Sequence, residues 1–280
     1  MNKWLLREQL QSFFSEDIGN GDITGELLFL NSNKTKGQLI AKEDGIIAGM
    51  IIIQEGYSLL DQTIEVNCFK TDGESVKKGE VICEVIGNTQ HLLTGERVIL
   101  NLIQHMSGIA TLTKKCVDTL NSSHTKICDT RKTTPGLRML EKYAVKIGGG
   151  VNHRYGLYDG VMIKDNHIKA IGSIYDAVKL VRENTGHMVK IEVEVETLEQ
   201  LKEAVEAQPD IIMLDNCSAS EVKEMVNLIP EPIISEVSGN ITLENIHNYQ
   251  DIGVDYISMG CLTHSPSGLD ISFRLMGEII

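Results

Sequence analysis

The sequence predicts an α/β protein, with an α/β barrel in its C-terminal part and a smaller α+β domain before it. Two observations lead there. Beyond residue 120, short apolar runs end on polar residues six times: Lys126–Asp129, Val161–Lys164, Ile191–Glu194, Ile211–Asp215, Ile233–Ser238 and Tyr256–Gly260. The end positions lie 35, 30, 21, 23 and 22 residues apart, which leaves room each time for a helix, as in Leu198–Ala207 and Ala219–Leu228. Each run reads as a buried parallel strand that presents chemistry at its C-terminal end. A barrel is favoured over an open sheet because acids, bases and glycines sit at the ends of all six strands, and only a ring brings six ends to one mouth.

The first hundred residues carry a different pattern. An opening helix over Trp4–Phe14 is followed by strand-like runs at Gly37–Ala41, Thr63–Phe69 and Val81–Val85, separated by glycine-rich turns. From Thr94 to about Leu120, Val98, Ile99, Leu102, Ile103, Met106, Ile109 and Ala110 recur at intervals of three and four. That spacing makes one face of a long helix, with Thr94 as its N-cap, leading into the barrel. Asp72–Glu80 has the look of a biotinyl or lipoyl carrier turn but lacks a lysine at a hairpin tip with the expected flanks, so it reads as a plain β-turn. Asp17–Thr24 has calcium-loop spacing without the closing glutamate, and reads as a structured loop.

Composition narrows the function. At 280 residues and 42% hydrophobic, the chain has enough apolar surface to offset its ordering entropy with one large core and one small one. A net charge of −13 repels a phosphate backbone, which argues against nucleic acid as a partner. The cysteines at 68, 83, 116, 128, 217 and 261 show no Cys-x-x-Cys pair and no His-rich neighbour at ligand spacing, so they read as reduced thiols rather than a zinc site or a disulfide framework. The most apolar stretch, Gly45–Ile53, is far short of the roughly 20 residues of a membrane helix. The protein is expected in the cytosol, away from membranes.

In so acidic a chain, the cations between Asp129 and His167 are conspicuous: Arg131, Lys132, Arg138, Lys142, Lys146, His153, Arg154, Lys164 and His167. Arg131, Lys132 and Lys164 fall at strand ends, and His153 and Arg154 follow a triple glycine. Converging cations suit a substrate with several carboxylates or phosphates, which arginine grips with paired hydrogen bonds; any one of them alone would read as a solvated surface charge. Glu194 and Asp215 close consecutive strands and could hold a divalent cation or sugar hydroxyls. Glu192 shares the face of Glu194, leaving open that one of the two only pairs with a lysine. Ser238-Gly239-Asn240 and Gly260 end the last two strands, where barrels often place backbone amides around a phosphate.

Several segments carry a resemblance: Glu16–Thr24, Glu96-Arg97 with Asn101 and Ser107–Thr111, Asp129-Thr-Arg-Lys-Thr-Thr-Pro-Gly136, Gly148-Gly-Gly-Val-Asn-His-Arg154, Ile163-Lys-Asp-Asn-His167, Glu192-Val-Glu-Val195 and Leu214-Asp-Asn216. In order and over nearly the whole chain, these resemble the quinolinate phosphoribosyltransferases. The resemblance implies an N-terminal open-faced α/β sandwich over 1–108, rejoined by the tail 269–280, and an incomplete TIM-like barrel over 109–268. It implies conversion of quinolinate and phosphoribosyl pyrophosphate to nicotinate mononucleotide, CO₂ and pyrophosphate in NAD biosynthesis, by a homodimer using Mg²⁺. It places Arg131, His153, Arg154 and Lys164 on the quinolinate carboxylates, with Arg97 reaching in from the partner subunit. Lys132 would neutralise the pyrophosphate, Glu194 and Asp215 would face the ribose hydroxyls and Mg²⁺, and Ser238, Gly239, Asn240 and Gly260 would line the 5′-phosphate. Catalytic work would fall to Lys132, Glu194 and Asp215.

Three other readings stay open at this stage. One is a molybdenum-associated paralogue that shares part of the motifs. Another is a Schiff-base aldolase with Lys164 as the amine, which would need that lysine in an apolar pocket. The third is a non-catalytic barrel that binds a phosphometabolite.

Overall fold

A computed structural model describes residues 1–29 and 34–278. It divides into two compact units, one of Met1–Leu112, Met139–Gly148 and Pro266–Ile280, the other of Thr113–Arg138 and Gly149–Ser265. The division drawn from sequence needs one substantive amendment. Met139–Gly148 belongs with the N-terminal unit, although its flanks on both sides belong to the barrel. The final Ile279 and Ile280 lie outside the described residues.

The first unit opens with α1 (Lys3–Ile18), whose first turn is capped by Asn2 Oδ1 accepting from the Trp4 and Leu5 amides. Helix α1 runs through Ile18, and α2 (Ile23–Leu28) begins four residues after Gly19, so Asp17–Thr24 is two helix ends with a turn between them rather than one loop. Next come β1 (Lys34–Ala41), β2 (Gly45–Ile46), α3 (Met50–Leu60), β3 (Glu65–Cys68), β4 (Ser75–Val76), β5 (Val81–Asn88) and α4 (Thr89–Leu120). Helix α4 starts five residues before Thr94, with Asn88 Oδ1 accepting from the amides of Gln90 and His91. Thr94 is instead inside the helix, where its hydroxyl donates to Asp22 Oδ2 at 2.7 Å. Leu6, Leu10 and Phe14 of α1, Ile52, Ile53 and Tyr57 of α3, and Ile99 and Ile103 of α4 are buried. Each such side chain contributes roughly 1.5–3 kcal/mol of transfer free energy.

The second unit repeats a strand-and-helix theme: β6 (Lys126–Cys128), α5 (Arg138–Ile147, most of it in the first unit), β7 (Val161–Ile163), α6 (Asp165–Ile171), α7 (Ile174–Asn184), β8 (Ile191–Val195), α8 (Leu198–Ala207), β9 (Ile211–Asp215), α9 (Ala219–Met225), β10 (Ile234–Ser238), β11 (Tyr256–Ser258) and α10 (Cys261–His264). Thr197 and Ser218 cap α8 and α9 in reciprocal boxes with Gln200 and Glu221, which marks the helix starts as sharply as the strand ends. The six strands are parallel, in the order β6-β11-β10-β9-β8-β7. The first strand therefore pairs with the last, as ring closure demands. On the outer side of β6 only a single parallel bridge forms, between Cys128 and Val151, and no ladder joins it to β7 among the described residues. This is an incomplete α/β barrel with a seam between its first and second strands.

The chain then returns to the first unit as β12 (Ile271–Glu278), giving an antiparallel sheet ordered β12-β1-β5-β3. Gly108 of α4 permits a close approach there, because a Cβ at that position would stand 1.9 Å from the Ser267 carbonyl oxygen. Among the described residues no helix is long and apolar enough to cross a membrane.

Candidate active site

Side chains along a strand alternate, and the register decides which ones share the barrel interior. Met162 pairs with Glu192, Glu194 with Met213, Asp215 with Ser238, Glu236 with Tyr256 and Ser238 with Ser258. Two layers follow. The upper one, at the C-terminal mouth, lines a cavity of about 330 Å³ with Arg131, Lys132, His153, Arg154, Lys164, Glu194, Asp215 and Ser238 from the sequence expectation, joined by Thr130, Met162, Met213 and Ser258. The lower layer encloses a second cavity of about 320 Å³ that includes Glu192, Glu236, Ile211, Ile234 and Tyr256. His153 and Arg154 line both.

The loop after β6 delivers Arg131 and Lys132. Asp129, fully buried, holds the turn behind them, accepting from the His153 amide at 2.9 Å and from the Asn152 side chain. Arg138 braces the same loop, donating to Thr133 Oγ1 and to the Tyr155 carbonyl, both at 2.9 Å. Of the nine basic residues in the sequence cluster, five reach the mouth. Arg138 serves as the brace, His167 accepts from the Lys164 amide at the start of α6, and Lys142 and Lys146 belong to the first unit.

Electrostatics distinguish the groups that remain. The Nε of Arg131 is buried without a partner among the described residues, a cost that an incoming anion would relieve. Arg154 donates to the Gly160 carbonyl at 2.7 Å; burial first, then the neighbouring Arg131 charge, pull its guanidinium below the usual value. Lys164 Nζ is bonded to Glu194 Oε1. Burial raises the Glu194 carboxyl above its ordinary value against the opposing pull of that lysine. Of the two adjacent acids it is thus Glu194, not Glu192, that takes the lysine. An amine held by a carboxylate lacks the apolar pocket that a Schiff-base lysine requires.

His153 lines the mouth while both of its ring nitrogens face groups of the protein. Its Nδ1 accepts from the Arg154 amide at 2.8 Å, which leaves the ring hydrogen on Nε2, facing Glu192 Oε2 at 3.0 Å and Glu236 Oε1 at 3.7 Å. The ring forms the floor of the mouth, and its two nitrogens are engaged within the protein. The donor set His153, Glu192 and Glu236 has the makeup of a metal cradle. The tautomer opposes that role, since the nitrogen facing the carboxylates carries a hydrogen. Burial first, then the Glu192 charge, push Glu236 up to about 7, while Ser258 donates to Glu236 Oε1. Neither Glu236 nor Ser258 figures in the sequence expectation. The available signal was an acid two residues before the polar residue on which the apolar run stops, as Glu192 precedes Glu194 in β8 and Glu236 precedes Ser238 in β10.

The remaining expected residues lie around the mouth. Gly239 has φ +102°, and a Cβ there would fall 2.6 Å from the Asn216 amide nitrogen, so only glycine fits. Asn240 Nδ2 approaches Asn216 Oδ1 at 3.4 Å, and the Asn216 amide donates to the Ser238 carbonyl, joining the loops after β9 and β10. Gly260 lies against the Lys132 stem, with a built Cβ 3.0 Å from Lys132 Cδ. Arg97 sits on α4 in the first unit, exposed, with Glu96 3.9 Å away.

Comparison with known proteins matches this geometry to a family. Residues 22–107 fit the model of the quinolinate phosphoribosyl transferase N-terminal domain, and residues 109–274 that of its C-terminal domain. A Bacillus subtilis protein named probable nicotinate-nucleotide pyrophosphorylase (carboxylating) is 55% identical over 272 residues, covering 97% of this chain and 94% of its own. Quinolinate phosphoribosyltransferase (decarboxylating) 2, mitochondrial, of Nicotiana glauca is 42% identical over 98% of this chain and 83% of its own. The crystal structure of NadC from Streptococcus pyogenes superposes with a TM-score of 0.95 at 39% identity, over 99% of this chain and 98% of that one. With both family domains present in order and relatives this similar along nearly the full length, the chain belongs to the quinolinate phosphoribosyltransferase family.

Proposed function

We propose that this chain transfers the phosphoribosyl group of phosphoribosyl pyrophosphate to the ring nitrogen of quinolinate, with loss of the 2-carboxylate as CO₂, yielding nicotinate mononucleotide and pyrophosphate for NAD biosynthesis. The observation that carries this reading is the convergence of Arg131, Lys132, Arg154 and Lys164 on one mouth, with the Arg131 Nε left without a partner. Arg131, Arg154 and Lys164 would take the two carboxylates, above the floor made by His153. Lys132 would neutralise the pyrophosphate, and the Ser238-Gly239-Asn240 turn with Gly260 would receive the 5′-phosphate.

Attack by the ring nitrogen at the anomeric carbon builds oxocarbenium character, so positioning and charge stabilisation supply most of the rate. Glu194 and Asp215 present oxygen donors of the kind Mg²⁺ prefers and would hold it with the ribose hydroxyls. Bound there, the ion would offset pyrophosphate charge. Once the pyridine nitrogen is alkylated, its positive charge accepts the electron pair released with CO₂. Arg97 would act from the partner subunit of a homodimer. The enzyme would work in the cytosol, where free thiols stay reduced.

Mixing the protein with quinolinate, phosphoribosyl pyrophosphate and Mg²⁺ should yield nicotinate mononucleotide by mass; tight binding of both substrates with no pyrophosphate released would defeat the proposal. For the trans arrangement, Arg97→Ala and Lys132→Ala homodimers should each be nearly inactive, and activity should return in mixed dimers. Mixtures that stay inactive despite subunit exchange would remove Arg97 from the neighbouring site.

A further inference from the structure

Cys68 and Cys83 face each other across the antiparallel pair β3 and β5, with their sulfurs 3.4 Å apart. The Phe69 amide donates to the Ile82 carbonyl. Hydrogen-bonded and non-hydrogen-bonded pairs alternate along an antiparallel ladder, so the adjoining pair, Cys68 with Cys83, is of the second kind. In such pairs the Cα atoms stand about 4.5 Å apart, within the roughly 4.4–6.8 Å that a disulfide spans. The two strands therefore already hold the cysteines at bridging distance.

The two thiols are not equivalent. Cys83 is completely buried and Cys68 is exposed, on the strand that forms the edge of the sheet. The contact with Cys83 holds the Cys68 thiol below its ordinary value, while the same contact and burial both push Cys83 up, and the Cys83 thiol also donates to the Glu84 carbonyl at 3.5 Å. The accessible sulfur is the one a small disulfide can reach, and as the thiolate it is the nucleophile in disulfide exchange. Cys83 is poised behind it, with its proton.

We propose that Cys68 and Cys83 form a thiol–disulfide exchange site that reacts with low-molecular-weight disulfides and closes a bridge between β3 and β5. Cys68 thiolate attacks one sulfur of the small disulfide, breaking its S–S bond and expelling one small thiolate, which takes a proton from solvent. Cys83 sulfur then attacks the Cys68 sulfur of the mixed disulfide. The second small thiol leaves with the proton Cys83 gives up. Two protein thiols are oxidised by two electrons, and one small disulfide is reduced to two thiols. Excess small thiol runs the sequence backwards.

The test uses the folded full-length chain in glutathione buffers of graded oxidised-to-reduced ratio, quenched in acid and read by intact mass and non-reducing digestion. The expected product has lost two hydrogens, and its digest joins the Cys68 and Cys83 peptides. Before oxidation, iodoacetamide should label Cys68 at least about tenfold faster than Cys83. The variant Cys83→Ser should accumulate one glutathione on Cys68, and Cys68→Ser should take up none at Cys83. A wild-type chain that stops at a stable glutathione adduct on Cys68, or that bridges these cysteines only after denaturation, would overturn the proposal. Because the wild-type digest decides the matter by itself, poor folding of either variant leaves the test intact.

Discussion

The two layers inside the barrel use the same strands to opposite ends. At the mouth, Arg131, Lys132, Arg154 and Lys164 gather positive charge, and the Arg131 Nε is buried without a hydrogen-bond partner among the described residues. One turn of the strand pleat below, Glu192 and Glu236 gather negative charge around a neutral histidine and a serine, and the strain is met by pushing Glu236 towards its protonated form. The mouth pairs Lys164 with Glu194 but leaves the Arg131 Nε for a ligand, whereas the interior offsets part of its charge with a proton and leaves Glu192 Oε1 without a hydrogen-bond partner among the described residues. The two layers still act on each other: Glu192 favours the charged form of Arg154, and Glu194 adds to the rise of Glu236.

The largest expected effect tests whether the mouth is matched to two carboxylates. Nicotinate, with one, would leave a buried cation unpaired, so kcat/KM should favour quinolinate by about a hundredfold or more. Equal values for the two acids in steady-state assays would erase the contrast between a ligand-matched mouth and a self-matched interior. Next, Arg154→Ala should cost about thirtyfold in kcat/KM, or about 2 kcal/mol. A near-normal value would put this arginine among the bracing residues with Arg138.

The interior layer should show itself through pH. The folded-state value of Glu236 lies above the unfolded one, so the folded protein holds the extra proton and stability falls as pH rises from about 4.5 through 7. The fall between pH 5 and pH 8 should be about 2 kcal/mol from this group. In denaturant titrations at the two pH values, Glu236→Gln should flatten that difference; an unchanged difference would mean another group binds the proton. Smallest of all, Ser258→Ala should lower stability by about 1 kcal/mol, the net worth of its bond to Glu236. If the effect on unfolding is much larger, the serine is doing more than satisfying one carboxylate oxygen.

Much of this was legible in the chain because strand ends announce themselves. Apolar runs that stop on Asp129, Lys164, Glu194, Asp215 and Ser238 mark the barrel and its mouth without any coordinates, and eight of the expected site residues line one cavity. Residues whose partner is distant in sequence were not legible. Lys142 reads as one more cation of the cluster, yet it is fully buried on a segment that belongs to the other unit. Nothing local to His153 reveals that Glu192 and Glu236, on two later strands, lie 3.0 and 3.7 Å from its Nε2. The 15-residue spacing of Cys68 and Cys83 carries no motif, and only the β3–β5 register brings them together. Thr94 misled for a simpler reason: Asn88 lies just before the observed helix start and is an equally good cap.

The return of β12 to β1 has a consequence for biosynthesis. The Asp270 amide donates to Glu43 Oε1 across a sequence separation of 227, and β12 supplies one of the two neighbours of β1. While a ribosome is still making the barrel, the N-terminal sheet lacks that neighbour, and β1 presents an unpaired edge. Exposed edges of this kind invite pairing with other chains. The N-terminal unit, begun before the barrel, is therefore completed after it, and a nascent chain has to shield that edge until residues 271–278 emerge. Chains stalled or cut before residue 271 should accumulate as aggregates seeded by the N-terminal sheet, even though the barrel segment they carry is nearly whole.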